Sequence, residues 1–258
     1  MIPRAAISWS GGKDSYLALH RTSRRASGIS ARQGYEQFDV VAMVTMFDEE
    51  GARSRSHGLR PAVVEAQADR LGLSLFAGRG SWAGYEAGFR DALSRARALD
   101  ITHVIFGDIM YASNRAFPER VCAAEGLTCV EPIFDEPTVD LYQEFIRTGA
   151  DARMVTVRDG LLDASWLGRR LTLDLLPELT ARGIDPCGEL GEYHTVVVDA
   201  PLFSSAITVD FGKRVLVSDC WAIDMVDVSL AQAPGVTRSG AVTDVSLAEA
   251  PGVTRSGA

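Results

Sequence analysis

Six consecutive residues, Ser10-Gly11-Gly12-Lys13-Asp14-Ser15, join the apolar run Ala5-Ala6-Ile7-Ser8-Trp9 to the helical pattern Tyr16-Leu17-Ala18-Leu19-His20. A short strand entering a polar, doubly glycine turn ahead of a helix makes a phosphate cradle. Gly11 and Gly12 let consecutive backbone amides turn inward without a Cβ in the way. Those amides, with the positive end of the following helix, favour a bound anion. Lys13 adds a full charge, and the hydroxyls of Ser10 and Ser15 add donors. The Walker pattern is excluded, because Asp14 follows Lys13 and no glycine stands five positions before Gly12. Asp14 in an anion site must point away from phosphate, cap the helix, or hold a metal that phosphate shares. The chain carries 26 Lys and Arg, yet only Lys13 and Lys213 are lysines. One of the two sits in this turn.

Two further segments carry carboxylates suited to chemistry. Asp108 follows His103-Val104-Ile105-Phe106-Gly107 at the end of an expected central strand. There it can hold Mg²⁺ or a nucleotide hydroxyl, or else cap the next helix. Glu189 and Glu192, each preceded by a glycine, stand in Asp185-Pro186-Cys187-Gly188-Glu189-Leu190-Gly191-Glu192-Tyr193-His194-Thr195. Such a pair can recognise a cationic group, bind a metal, or deprotonate an incoming amine. His194 can carry a proton near neutral pH or serve only as a structural hydrogen-bond partner. Cys187 reads as a small buried residue at a tight turn. Asn114, Arg115, Glu119 and Arg120 open the helix after Asp108, and His57 has no assigned place.

These three segments, in this order, resemble the N-type ATP pyrophosphatases, and within them the diphthine–ammonia ligase branch. The resemblance spans about residues 5 to 200. It implies cleavage of ATP between the α and β phosphates, adenylation of a carboxylate acceptor and transfer of ammonia, with Mg²⁺ as cofactor. It implies Lys13, Asp108, Glu189 and Glu192 as catalytic residues. Ser10, Gly11, Gly12, Lys13, Asp14 and Ser15 would bind the nucleotide, with Asp14 and Asp108 on the metal. Glu189, Glu192, Tyr193 and His194 would meet the acceptor. The diphthamide enzymes typically carry a second acid where this chain has His194. Two other readings stay open: a tRNA-modifying enzyme of the same loop group and a non-catalytic ATP sensor.

Bulk properties narrow the field. At 258 residues, 47% hydrophobic and 23% charged, the chain can bury a sizeable core. No apolar run approaches the roughly 18 residues that span a bilayer, and the phosphate loop begins within a dozen residues of the start. A cytoplasmic protein is expected. A formal net charge of −8 argues against a broad nucleic-acid surface. Local clusters of arginine (Arg21, Arg24, Arg25 and Arg32, then Arg53 and Arg55) read as solvated, though Arg53 and Arg55 can reach substrate if their loop closes. The four cysteines form no C-x-x-C pair, so neither zinc nor a disulfide framework is suggested.

The positioning elements follow from periodicity. Strands are expected at 40–46, 73–76, 103–106 and 128–130, with amphipathic helices at 61–71, 85–98 and 115–125. This alternation gives an α/β fold, a Rossmann-like parallel sheet with helices on both faces. The resemblance makes it HUP-type. Ligands in such sheets bind at the carboxyl ends of strands, where both the Ser10 loop and Asp108 fall. Beyond Phe134 the rhythm changes to a smaller α+β substrate-side domain. A helix is expected at 139–148, a strand at 153–157, a helix at 173–181 and a strand at 196–198. A hairpin follows, with strands 206–209 and 214–217 turning at Asp210-Phe211-Gly212-Lys213. The expected domains are therefore 1–135, 136–225 and a tail 226–258. The tail holds two copies of one 15-residue stretch, 227–241 and 244–258, differing at Gln232 and Glu249. Rich in small residues, Pro and Gly, it reads as disordered.

Overall fold

The computed structural model describes residues 2–26, 36–110 and 112–230, with the backbone alone at 112–115, 227, 229 and 230. The side chains of Asn114 and Arg115, all of Arg32, and nearly the whole repeated tail lie outside the described residues. Five strands, β1 (Arg4–Ser8), β2 (Asp39–Phe47), β3 (Ser74–Arg79), β4 (His103–Ile105) and β5 (Thr128–Val130), form one sheet in the order β3-β2-β1-β4-β5. Every adjacent pair is parallel. This is the expected Rossmann-like sheet. The central strands are buried on both faces, which is why β1 and β2 read as continuous apolar runs rather than alternating ones.

The two faces carry different helices. α1 (Lys13–Thr22) and α2 (Pro61–Leu71) cover one, where Ala5, Ile7 and Met43 meet Leu17, Val63 and Val64. α3 (Tyr85–Ala96) and α4 (Ala112–Glu125) cover the other, where Ala6, Ala42, Val44 and Val104 meet Phe89, Leu93 and Val121. Local signals set the boundaries. α2 opens on Pro61, whose missing N–H costs nothing in a first turn, and closes on Gly72 in the left-handed region.

The second half opens with α5 (Thr138–Arg147), whose Leu141, Tyr142 and Phe145 are buried. After β6 (Asp151–Arg158) come α6 (Leu175–Ala181), β7 (Tyr193–Asp199), β8 (Ile207–Val217) and β9 (Cys220–Leu230). Their sheet is antiparallel, in the order β7-β6-β9-β8. One continuous buried cluster runs from Ala5 and Tyr16 through Phe145 and Val197 to Met225, so both sheets share a core.

Two expectations are corrected here. Asp210-Phe211-Gly212-Lys213 is no turn: it lies within β8, where register shifts at Asp210/Phe211 and Phe211/Arg214 mark a bulge. The hairpin turns instead at Ser218 and Asp219, with Ser218 in the left-handed region at φ 55°. The segment from residue 226 does not begin as disordered chain. β9 continues to Leu230, and residues 227–230 pair with Ile207–Asp210. The alternation Val226, Val228, Leu230 suffices for a strand once a partner edge is present. Among the described residues no helix is long and apolar enough to cross a membrane.

Candidate functional site

In the order β3-β2-β1-β4-β5 the chain reverses direction across the sheet between β1 and β4, and ligands of such sheets bind in the crevice at that switch point. A cavity of about 310 Å³ opens there. The Ser10 loop leaves β1 and Asp108 follows β4, so both face it from adjacent strand ends. The approach is close: a Cβ on Gly107 would lie 2.8 Å from the Ser15 amide nitrogen.

The phosphate loop is tied to the second half of the chain. Gly11, with φ +89°, turns its carbonyl to accept from the Val197 amide at 2.9 Å and from Gln67 Nε2 at 3.0 Å. Gln67, fully buried on α2, also donates to Val197 O at 2.8 Å and accepts from Trp9 Nε1 at 2.8 Å. The Lys13 amide donates to Thr195 Oγ1 at 3.1 Å. Ser10 and Ser15 hydroxyls lie 3.2 Å apart, and Ser15 Oγ donates to Gly12 O. The remaining first-turn amides of α1 lack intrahelical acceptors, the arrangement that receives an anion.

Lys13 reaches back under the later loop. Its Nζ donates to Asp14 at 2.8 Å and to the Cys187 carbonyl, and lies 5.4 Å from the Tyr193 ring centroid. Burial opposes the charge, but Asp14 and its neighbours outweigh burial and hold the ammonium above its ordinary range. Across the cavity the acids are held towards neutrality. Burial, then the charge of Asp14, pushes Asp108 up to about 6. The same two causes push Glu189 up to about 7, against the pull of Lys13. Asp108 is no helix cap, since α4 begins only at Ala112.

Glu192 corrects the sequence reading. It does not line the cavity; it is 3% exposed, and its two oxygens accept from the amides of Asp185 at 3.0 Å and Leu190 at 2.9 Å. Its carboxylate closes the 185–192 loop on itself. Tyr193 lines the cavity with its ring, but its hydroxyl is engaged by Pro186 O. Cys187 is buried as expected, its thiol donating to Thr138 O. Gly11 and Gly12 contribute backbone only.

Sequence reasoning missed His57. Its ring lies against Gly12, where a Cβ would come within 2.2 Å of Cε1, and it packs against His194 with centroids 4.8 Å apart and planes tilted by 30°. The Thr195 carbonyl, 2.6 Å from His57 Nδ1, can only accept, so Nδ1 carries the proton. Burial holds His57 down at about 4, the Thr195 bond partly offsetting it. Burial, then His57, holds His194 at about 3. Both rings are neutral at physiological pH. The signal for His57 was a histidine in the loop that leaves the carboxyl end of β2. For Gln67 it was a lone amide on an apolar helix face.

The cavity is also lined by aromatic rings: Tyr85, Phe89, Phe106 and Phe117. Tyr85 and Phe89 rings stack at 6.2 Å and 12°. Among the described residues no group of three or more His, Cys, Asp or Glu side chains is arranged to hold a metal ion.

Comparison with known families accords with this geometry. A family model for the diphthamide synthase N-terminal domain matches residues 3–129, and one for its C-terminal domain matches residues 137–228. The chain belongs to the diphthine–ammonia ligase-like family. Diphthine–ammonia ligase of Danio rerio is 33% identical over 125 residues, covering 47% of this chain and 49% of that protein. The Homo sapiens protein of the same name is 32% identical over 123 residues, 45% of each chain. That of Schizosaccharomyces pombe is 31% identical over 113 residues, 43% of this chain and 19% of the relative. The chain spans about half the length, or less, of the curated relatives it matches. A solved structure described as a predicted subunit of tRNA methyltransferase from Methanocaldococcus jannaschii aligns over 77% of this chain and 98% of its own, at 12% identity and a TM-score of 0.34.

Proposed function

We propose that the protein is an ATP-dependent amide ligase. An acceptor carboxylate oxygen attacks the α phosphorus of ATP, pyrophosphate leaves, and an acyl adenylate forms. Ammonia then attacks the acyl carbon, AMP leaves, and the proton shed by nitrogen passes to Glu189. The observation that carries this reading is one cavity holding the Ser10–Ser15 cradle with Lys13, the Asp14 and Asp108 carboxylates, and a carboxyl that titrates near 7. Family membership and relatives named as diphthine–ammonia ligases support it.

Each residue has a task of its own type. Lys13 stabilises charge developing on the phosphates, the kind of term that dominates such chemistry. Mg²⁺ is held in nucleotide sites by one or two carboxylates plus substrate phosphates, and Asp108, pressed towards neutrality by burial and by the neighbouring charge of Asp14, fits that role together with Asp14. Asp14 and Asp108 would hold it, and it would screen phosphate charge there. Glu189, Tyr193 and His194 face the acceptor's reactive end. In this reading residues 1–135 carry the nucleotide and 136–225 close the site over it, in the cytoplasm.

The test is substrate-dependent release of pyrophosphate and AMP across a panel of carboxylate metabolites and candidate proteins. Lys13→Ala should lower turnover about 10²–10³-fold with unchanged far-UV dichroism. Release of ADP and phosphate would overturn the ligase reading. Tight ATP binding without turnover on any acceptor would favour a sensor.

A further inference from the structure

The aromatic wall does not stop at the cavity mouth. Trp82, 70% exposed, stacks on Tyr85 with centroids 5.8 Å apart and planes 20° from parallel. The Arg55 guanidinium lies over the same indole, 5.1 Å from its centroid. Arg55 Nε and Nη2 both donate to Gly80 O, at 2.8 and 2.6 Å, and its own amide donates to Met46 O. The guanidinium is thereby fixed across the carboxyl ends of β2 and β3. Among the described residues no hydrogen bond or ion pair engages Arg55 Nη1. Ser54 and Ser56, on either side of Arg55, line the cavity.

Two considerations say what such a rim receives. A cavity of about 310 Å³ stands at the lower end of the range for a single ligand. Once a nucleotide occupies it, the body of the acceptor must leave through the mouth, beside Trp82. An exposed indole held rigid by stacking is a preorganised platform for a flat group. It is also a surface on which a quaternary ammonium would settle, but the Arg55 guanidinium, 5.1 Å from the indole centroid, repels a second cation. Its free Nη1 calls instead for an oxyanion.

We propose that Trp82, Tyr85 and Arg55 form the acceptor subsite, and that the acceptor is a small molecule with a planar, conjugated body and an anionic group besides the carboxylate that reacts. This rests on the ligase reading and narrows its substrate class: a trimethylammonium-bearing acceptor is disfavoured.

Calorimetric titration with two naphthalene probes tests it, a dicarboxylate and a trimethylammonium of the same ring. The dicarboxylate should bind the unaltered protein more tightly. Trp82→Ala and Arg55→Gln should each weaken it about tenfold, and Arg55→Gln should improve the trimethylammonium probe. ATP affinity should stay within about twofold in both variants. Tighter binding of the trimethylammonium probe to the unaltered protein would overturn the proposal, as would indifference of both probes to Trp82→Ala. Equal loss of ATP binding in Trp82→Ala would put the nucleobase on the rim and overturn it too. Failure of ATP to bind the unaltered protein would remove the ligase reading alone, and the probe comparison would still judge the rim.

Discussion

On the ligase reading proposed above, the ionisation state of Glu189 sets the pH response. A base must be deprotonated to take a proton, so with a carboxyl at about 7 the amide-forming step gains rate as pH rises through 7 and levels above it. The cause is burial beside Asp14, both of which disfavour the anion. Glu189→Gln should remove that limb and lower kcat/KM at least tenfold at pH 8, while ATP affinity changes only a few fold. Rate profiles from pH 5.5 to 9 in both proteins check this. A Glu189→Gln enzyme that kept an inflection near 7 would reassign it to Asp108. At this scale the sequence is a mixed guide. Lys13, Asp14, Ser10, Asp108, Glu189, Tyr193 and His194 do converge on one cavity. Glu192 does not, because spacing along a loop says nothing of which amides will turn back to claim a carboxylate.

At the scale of elements, the 185–192 loop is a compact unit whose shape depends on Glu192. Two backbone amides would lose a charged acceptor in Glu192→Ala, each such bond contributing about 1.5–3 kcal/mol. Stability should fall by about 3–6 kcal/mol by denaturant unfolding, with weaker ATP binding, because the Cys187 carbonyl that anchors Lys13 Nζ belongs to this loop. Normal stability with only a raised acceptor KM would mean the carboxylate reaches substrate. The parallel strands are legible because burial on both faces writes them as apolar runs. The β8–β9 hairpin is misread for an equally physical reason. Asp-Phe-Gly-Lys has turn chemistry, but a bulge accommodates the same residues, and only pairing with residues near 225 decides between them.

For the whole molecule, the halves are joined by a buried ion network. Arg21 on α1 is 1% exposed and forks to Glu136 (2.5 and 2.9 Å) and to Glu144 on α5 (2.7 and 2.6 Å), also donating to Pro132 O at 2.7 Å. Composition marks Arg21 only as one of a basic cluster; its partners lie more than a hundred residues away, beyond the reach of any local pattern. Arg21→Met removes one side of this network and leaves two carboxylates about one-fifth exposed. Loss of a buried partner costs about 3–5 kcal/mol, and partial exposure puts the expected loss near the lower figure. Denaturant unfolding should show this as a shifted midpoint with one transition, since both sheets share a core. Two separate transitions would mean the halves unfold independently.

The bond from Val197 to Gly11, and that from Lys13 to Thr195 across 182 residues, carry a consequence for synthesis. The anion cradle is encoded in the first fifteen residues, but its fixing partner Thr195 is made 182 residues after Lys13. At about 5–20 residues per second, the interval between them is roughly 10–40 s. Through that interval a nascent chain presents a glycine-rich loop with its amides unfixed and Lys13 without its carbonyl anchor. The loop therefore gains its fixed geometry only once the strand that carries Thr195 and Val197 has been made.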